Sequence, residues 1–141
     1  MHLKDILGAK GRDVHTVEPE STLAEVVEQL VECNCGSLVV CERGEMVGII
    51  TERDILRACA RENDSLESIK VKERMTADVI TASPEDEVGA AMGVLTTNRI
   101  RHLPVLEDGK LAGMISIGDV VKAQHDKLTM ENHYLMNYIQ S

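Results

Sequence analysis

Phenylalanine and tryptophan are absent, and tyrosine occurs only as Tyr134 and Tyr138, near the end of the 141-residue chain. Any core must therefore be aliphatic, and a bound base would lie between aliphatic side chains rather than on an aromatic shelf. Positive charge is scarce too: 15 Lys and Arg stand against 24 Asp and Glu, a formal net charge of −9. That balance argues against nucleic acid, whose backbone is bound through clustered Lys and Arg. It also gives no support to an anionic membrane surface. No apolar run approaches the roughly 18–20 residues needed to span a bilayer. The start, Met1-His2-Leu3-Lys4-Asp5, lacks a secretory hydrophobic region. The expectation is a soluble cytoplasmic protein with neither nucleic acid nor membrane as partner.

Other absences narrow the chemistry. Cysteine stands only at positions 33, 35, 41 and 59. Cys33-Asn34-Cys35 lacks the C-x-x-C spacing of a structural zinc site, so no metal is expected. Cys41 and Cys59 read as small buried hydrophobes. No G-x-S-x-G, H-E-x-x-H or Walker loop appears, and His15, His125 and His133 have no nucleophile partner in sequence. The chain reads as a binder and not as an enzyme.

What is present is a repeat. Shifting the chain by 65 positions lays residues 16–58 over 81–123 without a gap. Thr16/Thr81, Pro19/Pro84, Leu30/Leu95, Val40/Val105, Gly44/Gly109, Gly48/Gly113 and Asp54/Asp119 coincide. Two copies of one structural unit follow.

Each copy reads strand–helix–strand–strand–helix. In the first, residues 14–17 are extended, and Thr22 with Glu25 opens a helix carrying Leu23, Val26, Val27 and Leu30. That helix ends near Asn34-Cys35-Gly36. Strands at 37–41 and 46–50 flank an Arg43-Gly44 turn, and Thr51 opens a helix with Ile55, Leu56 and Cys59 on its apolar face. The second copy repeats this through Val88, Ala91, Met92 and Leu95, then strands at 102–106 and 110–115 around Asp108-Gly109. Residues 116–124 repeat the last helix. Residues 2–9 predict a short amphipathic helix, 62–68 a polar connection, and 69–75 a short turn or helix. The spacing of Leu128, Leu135, Tyr138 and Ile139 predicts a C-terminal helix able to pack on the N-terminal helix or a second chain. The division is 1–13 lead-in, 14–68 first repeat, 69–124 second repeat and 125–141 C-terminal helix.

The most informative stretch is Gly48-Ile49-Ile50-Thr51-Glu52-Arg53-Asp54, which recurs as Gly113-Met114-Ile115-Ser116-Ile117-Gly118-Asp119. Thr51 and Ser116 are good N-caps, and an acid three positions on can return a bond to the cap amide. The same geometry suits a ligand: free N–H groups favour phosphate, and a carboxylate one turn in can accept from the cis-diol of ribose. Glycine at 48 or 113 would let a base approach the strand.

These motifs, with Pro19/Pro84, the hairpins and the run Asn98-Arg99-Ile100-Arg101-His102-Leu103-Pro104-Val105, resemble the CBS (cystathionine-beta-synthase) domain. Two copies over residues 14–124 resemble a tandem CBS pair, or Bateman module, as in the small stand-alone bacterial CBS-pair proteins. The resemblance implies a mixed α+β fold of two β-α-β-β-α repeats about a pseudo-twofold axis, sheets face to face, usually paired into a homodimer. It implies a regulatory module binding an adenosyl ligand: AMP, ADP, ATP or NAD(H), with S-adenosylmethionine ranked behind them. Carried over, one candidate site comprises Thr51, Arg53, Asp54, Ile80, Thr81, Arg101 and His102, and the other Thr16, Val17, Ser116 and Asp119. The second has Gly36, Ser37 and Gly118 where the first has Arg101, His102 and Arg53, so the first suits an anionic nucleotide better. The alternative is a structural dimerisation or interaction module with unoccupied clefts.

Overall fold

The computed structural model describes residues 1–61 and 63–140. Glu62 and Ser141, which the sequence reading places in the polar connection and the C-terminal helix, lie outside the described residues. The first repeat contains β1 (Thr16–Val17), α2 (Leu23–Cys33), β2 (Ser37–Glu42), β3 (Glu45–Thr51) and α3 (Glu52–Arg61). The second contains α5 (Val88–Thr97), β4 (His102–Glu107), β5 (Lys110–Ser116) and α6 (Ile117–Gln140). α1 (Leu3–Lys10) and α4 (Val71–Arg74) precede the two repeats. The fold is mixed α+β, with β-α-β-β-α order in the first repeat and the same order in the second, where one bridge replaces the opening strand.

Local chemistry accounts for the element ends. Thr22 Oγ1 accepts the Glu25 amide at 3.2 Å, opening α2 with Leu23, Val26 and Leu30 buried. Asn34 closes it at φ 52°, and the Cys35 amide donates to the Leu30 carbonyl at 3.1 Å. In the other repeat Arg99 takes φ 54° and the Ile100 amide donates to Leu95 at 3.0 Å. β2 and β3 pair antiparallel with Leu38 opposite Ile50 and Val40 opposite Gly48. β4 and β5 pair with Leu103 opposite Ile115 and Val105 opposite Gly113. Each ladder shifts register just after Val40 or Val105, so the bulge is duplicated with the repeat. β1 adds to β2 in parallel, whereas in the second repeat only the bridge Ala82–Val105 marks that strand.

The chain divides into two compact units, Asp13–Ile80, and Met1–Arg12 with Thr81–Ser141. α4 closes the first unit: the Leu23 amide donates to Ile69 at 2.9 Å and the Val71 amide to Ser21 at 2.8 Å. α1 does the same in the other, where the Leu3 amide donates to Asp86 at 2.9 Å and the Val88 amide to Met1 at 3.0 Å. Each unit has its own aliphatic core. One gathers Leu23, Val26, Leu38, Val40, Ile50 and Val71, and the other Leu3, Leu7, Leu95, Leu103, Val105 and Ile115.

Three expectations need correction. The apolar face of α3 buries Ile55 and Ala58, while Leu56 is 68% exposed and Cys59 is exposed as well. The buried positions run i, i+1, i+4 from Asp54, which turns Leu56 and Cys59 away from the sheet. The C-terminal helix is not separate: α6 is unbroken from Ile117 to Gln140. Its last turns leave Leu128, Leu135, Tyr138 and Ile139 exposed rather than packed on α1.

Candidate functional site

The two motifs sit where β3 enters α3 and β5 enters α6. At the first, Asp54 Oδ2 accepts the Thr51 amide at 2.9 Å and the Thr51 hydroxyl at 3.1 Å. The Asp54 amide returns a bond to Thr51 Oγ1 at 3.4 Å. At the second, Asp119 Oδ2 accepts the Ser116 amide at 2.9 Å, and the Asp119 amide donates to Ser116 Oγ at 3.1 Å. Both are reciprocal capping boxes.

Capping alone does not distinguish these acids, because Asp5, Glu73 and Asp86 bond the amides of His2, Lys70 and Ser83 in the same way. Burial does. Asp5, Glu73 and Asp86 are exposed, whereas Asp54 is only 7% exposed. A cap needs no burial, and burying a carboxylate is costly unless it is paired. Among the described residues no ion pair of Asp54 and no hydrogen bond to its Oδ1 is seen.

Asp119 differs. Its Oδ2 also accepts from Lys10 Nζ at 2.6 Å, and Lys10 donates to the Met114 carbonyl at 2.9 Å. Burial pushes the Asp119 carboxyl up, but the bonds from Lys10 and Ser116 more than offset this and hold it below its ordinary value. Sequence reasoning missed Lys10. It lies 109 residues from Asp119, and a lysine ending a helix is explained locally by the dipole.

The remaining expected residues divide between the units. Thr51, Arg53, Asp54, Ile80, Thr16 and Val17 belong to Asp13–Ile80, and Thr81, Arg101, His102, Ser116 and Asp119 to the other. Arg53, Ile80, Thr81, Thr16 and Arg101 are exposed, His102 is half-buried, and Val17 is buried in its unit's core. The Thr16 carbonyl accepts from Gln29 Nε2 at 3.0 Å. His102 pairs opposite Ser116, and the Arg101 carbonyl accepts the Ile117 amide at 2.9 Å. The backbone of these two basic residues thus adjoins the second motif within their own unit. Space beside the motif glycines is filled, contrary to the expectation of room for a base. A Cβ on Gly48 would meet Met75 and Thr76, and one on Gly113 would meet Leu7.

The cysteines are free, with Cys33, Cys35 and Cys41 half-buried. Cys41 is therefore only partly covered and Cys59 is exposed, short of the burial expected of them. Burial, then the neighbouring Cys33, pushes the Cys35 thiol up. Among the described residues no three His, Cys, Asp or Glu side chains are placed to hold a metal ion.

The duplicated strand–helix entry with its capping acid is matched by the family model of the CBS domain over residues 3–61 and again over 71–126. The chain belongs to the CBS domain family. It is a tandem CBS pair. Solved CBS structures superpose well on it. The CBS-domain protein ATU1752 of Agrobacterium tumefaciens is 40% identical, with TM-score 0.85 over 88% of this chain and 99% of that one. The CBS domain pair of protein MJ0100, solved with 5-methylthioadenosine and S-adenosyl-L-methionine, is 26% identical, with TM-score 0.79 over 90% and 98%. The CBS domain protein PAE2072 of Pyrobaculum aerophilum, complexed with AMP, is 28% identical, with TM-score 0.75 over 84% and 89%. Among the described residues no helix is long and apolar enough to cross a membrane.

Proposed function

We propose that this CBS pair is a non-catalytic regulatory or sensor module that binds an adenosyl ligand, with AMP, ADP, ATP or NAD(H) ahead of S-adenosylmethionine. The observation that carries the reading is Asp54: a buried carboxylate with no ion pair seen among the described residues and one oxygen fixed by the Thr51 cap. Such an acid is a ready acceptor for a cis-diol. Thr51 stands beside it for ribose or phosphate, and Arg53, Ile80, Thr81, Arg101 and His102 complete the proposed contact set. The AMP complex of one CBS relative supports the ligand class, and the S-adenosylmethionine complex of another keeps the order of preference open to test. Ligand binding would act by favouring one conformation of the paired repeats over another. A cytoplasmic, homodimeric protein acting on a regulated partner completes the proposal; four free cysteines fit a reducing compartment.

The second reading, an interaction module with empty clefts, is favoured by one feature. The end of α6 exposes Leu128, Met130, Tyr134, Leu135, Tyr138 and Ile139, an apolar surface suited to association.

A melting series with adenosine, AMP, ADP, ATP, NADH and S-adenosylmethionine separates the two. A ligand at 100 times its Kd stabilises by about 2.7 kcal/mol, which several degrees of melting shift would report. Asp54→Asn keeps an acceptor for the Thr51 amide yet loses the charge, and should weaken binding on the order of 10- to 100-fold. Arg101→Ala should weaken AMP more than adenosine. A flat response across the panel would favour the interaction module.

A further inference from the structure

The two capping acids are duplicated, but what approaches them is not. His2 bridges Glu87 as Lys70 bridges Thr22, so α1 and α4 are equivalent, and Lys10 corresponds to Asp78. In the first unit the chain leaves α4 and bonds β3 through its backbone. The Thr76 amide donates to Ile49 and the Ile49 amide to Thr76, both at 2.9 Å. In the other unit α1 runs on to Lys10, whose ammonium takes the carbonyl of Met114, the counterpart of Ile49, and then Asp119. One turn earlier on the same helix, Leu7 covers Gly113. α1 therefore lies along β5 with an apolar contact and a charged one.

We propose that Lys10 is the built-in occupant of the second motif, so that Asp119 is closed to an adenosyl diol and one chain binds one such ligand, at Asp54. This rests on the adenosyl reading above. At Asp54 no ion pair is seen among the described residues, so a diol meets no ammonium held on the acid as Lys10 is on Asp119. At Asp119 it must share or displace an ammonium held at 2.6 Å, with the lysine side chain 37% exposed and the aspartate 24%. Losing a charge-assisted bond of that kind corresponds to roughly 10- to 100-fold in affinity.

Calorimetric titration of the full chain with adenosine tests this. Adenosine carries the diol without phosphate, so the Lys10 charge cannot attract it as an anion. The wild-type chain should take up one adenosine and Lys10→Met two, the methionine keeping most of the aliphatic stem. Lys10→Met with Asp54→Asn should retain one, and Lys10→Arg should stay at one because the cation is restored. Lys10→Gln repeats the measurement if Lys10→Met melts early. One site in both neutral variants, two sites in the wild type, or weaker binding in Lys10→Met would overturn the proposal. No uptake by any variant would overturn the adenosyl reading itself, a result set apart by silence of the wild type.

Discussion

The strand face at Gly48 is closed by Thr76: a Cβ at position 48 would stand 2.8 Å from the Thr76 carbonyl oxygen and 2.8 Å from Met75 Sδ. The oxygen cannot retreat cheaply, because Thr76 is held to Ile49 by two backbone bonds. At Gly113 the obstacle is softer, since the atoms met at 2.6 and 3.0 Å are the methyl ends of Leu7. Leu7 is itself fully packed, so its rotation has a cost as well.

Gly48→Ala should therefore destabilise the protein by about 2–3 kcal/mol and Gly113→Ala by roughly half as much, as expected for overpacking against fixed and mobile neighbours. Urea denaturation of the two variants checks the order. Equal losses would mean that Thr76 yields as easily as a side chain does.

Much of the architecture was legible because its signals are local. Thr22 with Glu25 announced α2, the Asp108-Gly109 pair announced the second hairpin, and the 65-residue offset carried both assignments from one repeat to the other. α6 was harder to read. Its middle, around His125 and Asn132, has no buried face, so apolar spacing fades there although the helix does not. Good helix formers such as Lys127, Leu128, Met130 and Glu131 sustain it instead. Leu56 departs from its pattern for the opposite reason: it is apolar yet exposed, while the buried position on that turn belongs to Asp54.

The candidate site was legible as far as its sequence is contiguous. Thr51-x-x-Asp54 and Ser116-x-x-Asp119 each state their own cap, and both form. The burial that singles out Asp54 and the lysine that reaches Asp119 are tertiary facts. The positions of Arg53, Arg101 and His102 are matched in the other repeat by Gly118, Gly36 and Ser37, and Lys10 lies outside the aligned stretch, so the repeat does not point to it.

Acid should expose the Lys10–Asp119 contact. The folded Asp119 carboxyl lies below its ordinary value of 3.8, burial raising it and Lys10 and Ser116 lowering it further. A group depressed in the folded state adds stability above its unfolded value and loses it as pH falls through the folded one. The stability gap between wild type and Lys10→Met should thus be largest near neutrality and shrink as pH drops below that value. Glu20, bonded by Lys70 and Lys72, is lowered from 4.5 to about 2, so Glu20→Gln should flatten the acid limb between those two values. That triad lies at the surface, and added salt should erase its contribution. Urea melts from pH 7 to 2 at two salt concentrations test both. A Lys10→Met gap that does not change with pH would rule out an ionic contact.

Arg99 carries a separate, removable strain. It closes α5 at φ 54°, a left-handed conformation that its counterpart Asn34 adopts at 52° with less penalty. Its side chain is exposed and makes no hydrogen bond or ion pair among the described residues. Arg99→Gly should therefore stabilise the second unit by about 0.5–1 kcal/mol, with glycine taking the usual residue type at a left-handed helix end. For a chain of this size that is a rise of about 1–4 °C in Tm. Asn34→Gly should change Tm by less than half as much, since asparagine already tolerates the conformation. A fall in Tm for Arg99→Gly would show that the guanidinium holds a stabilising contact in solution, and the strain account of this helix end would then be wrong.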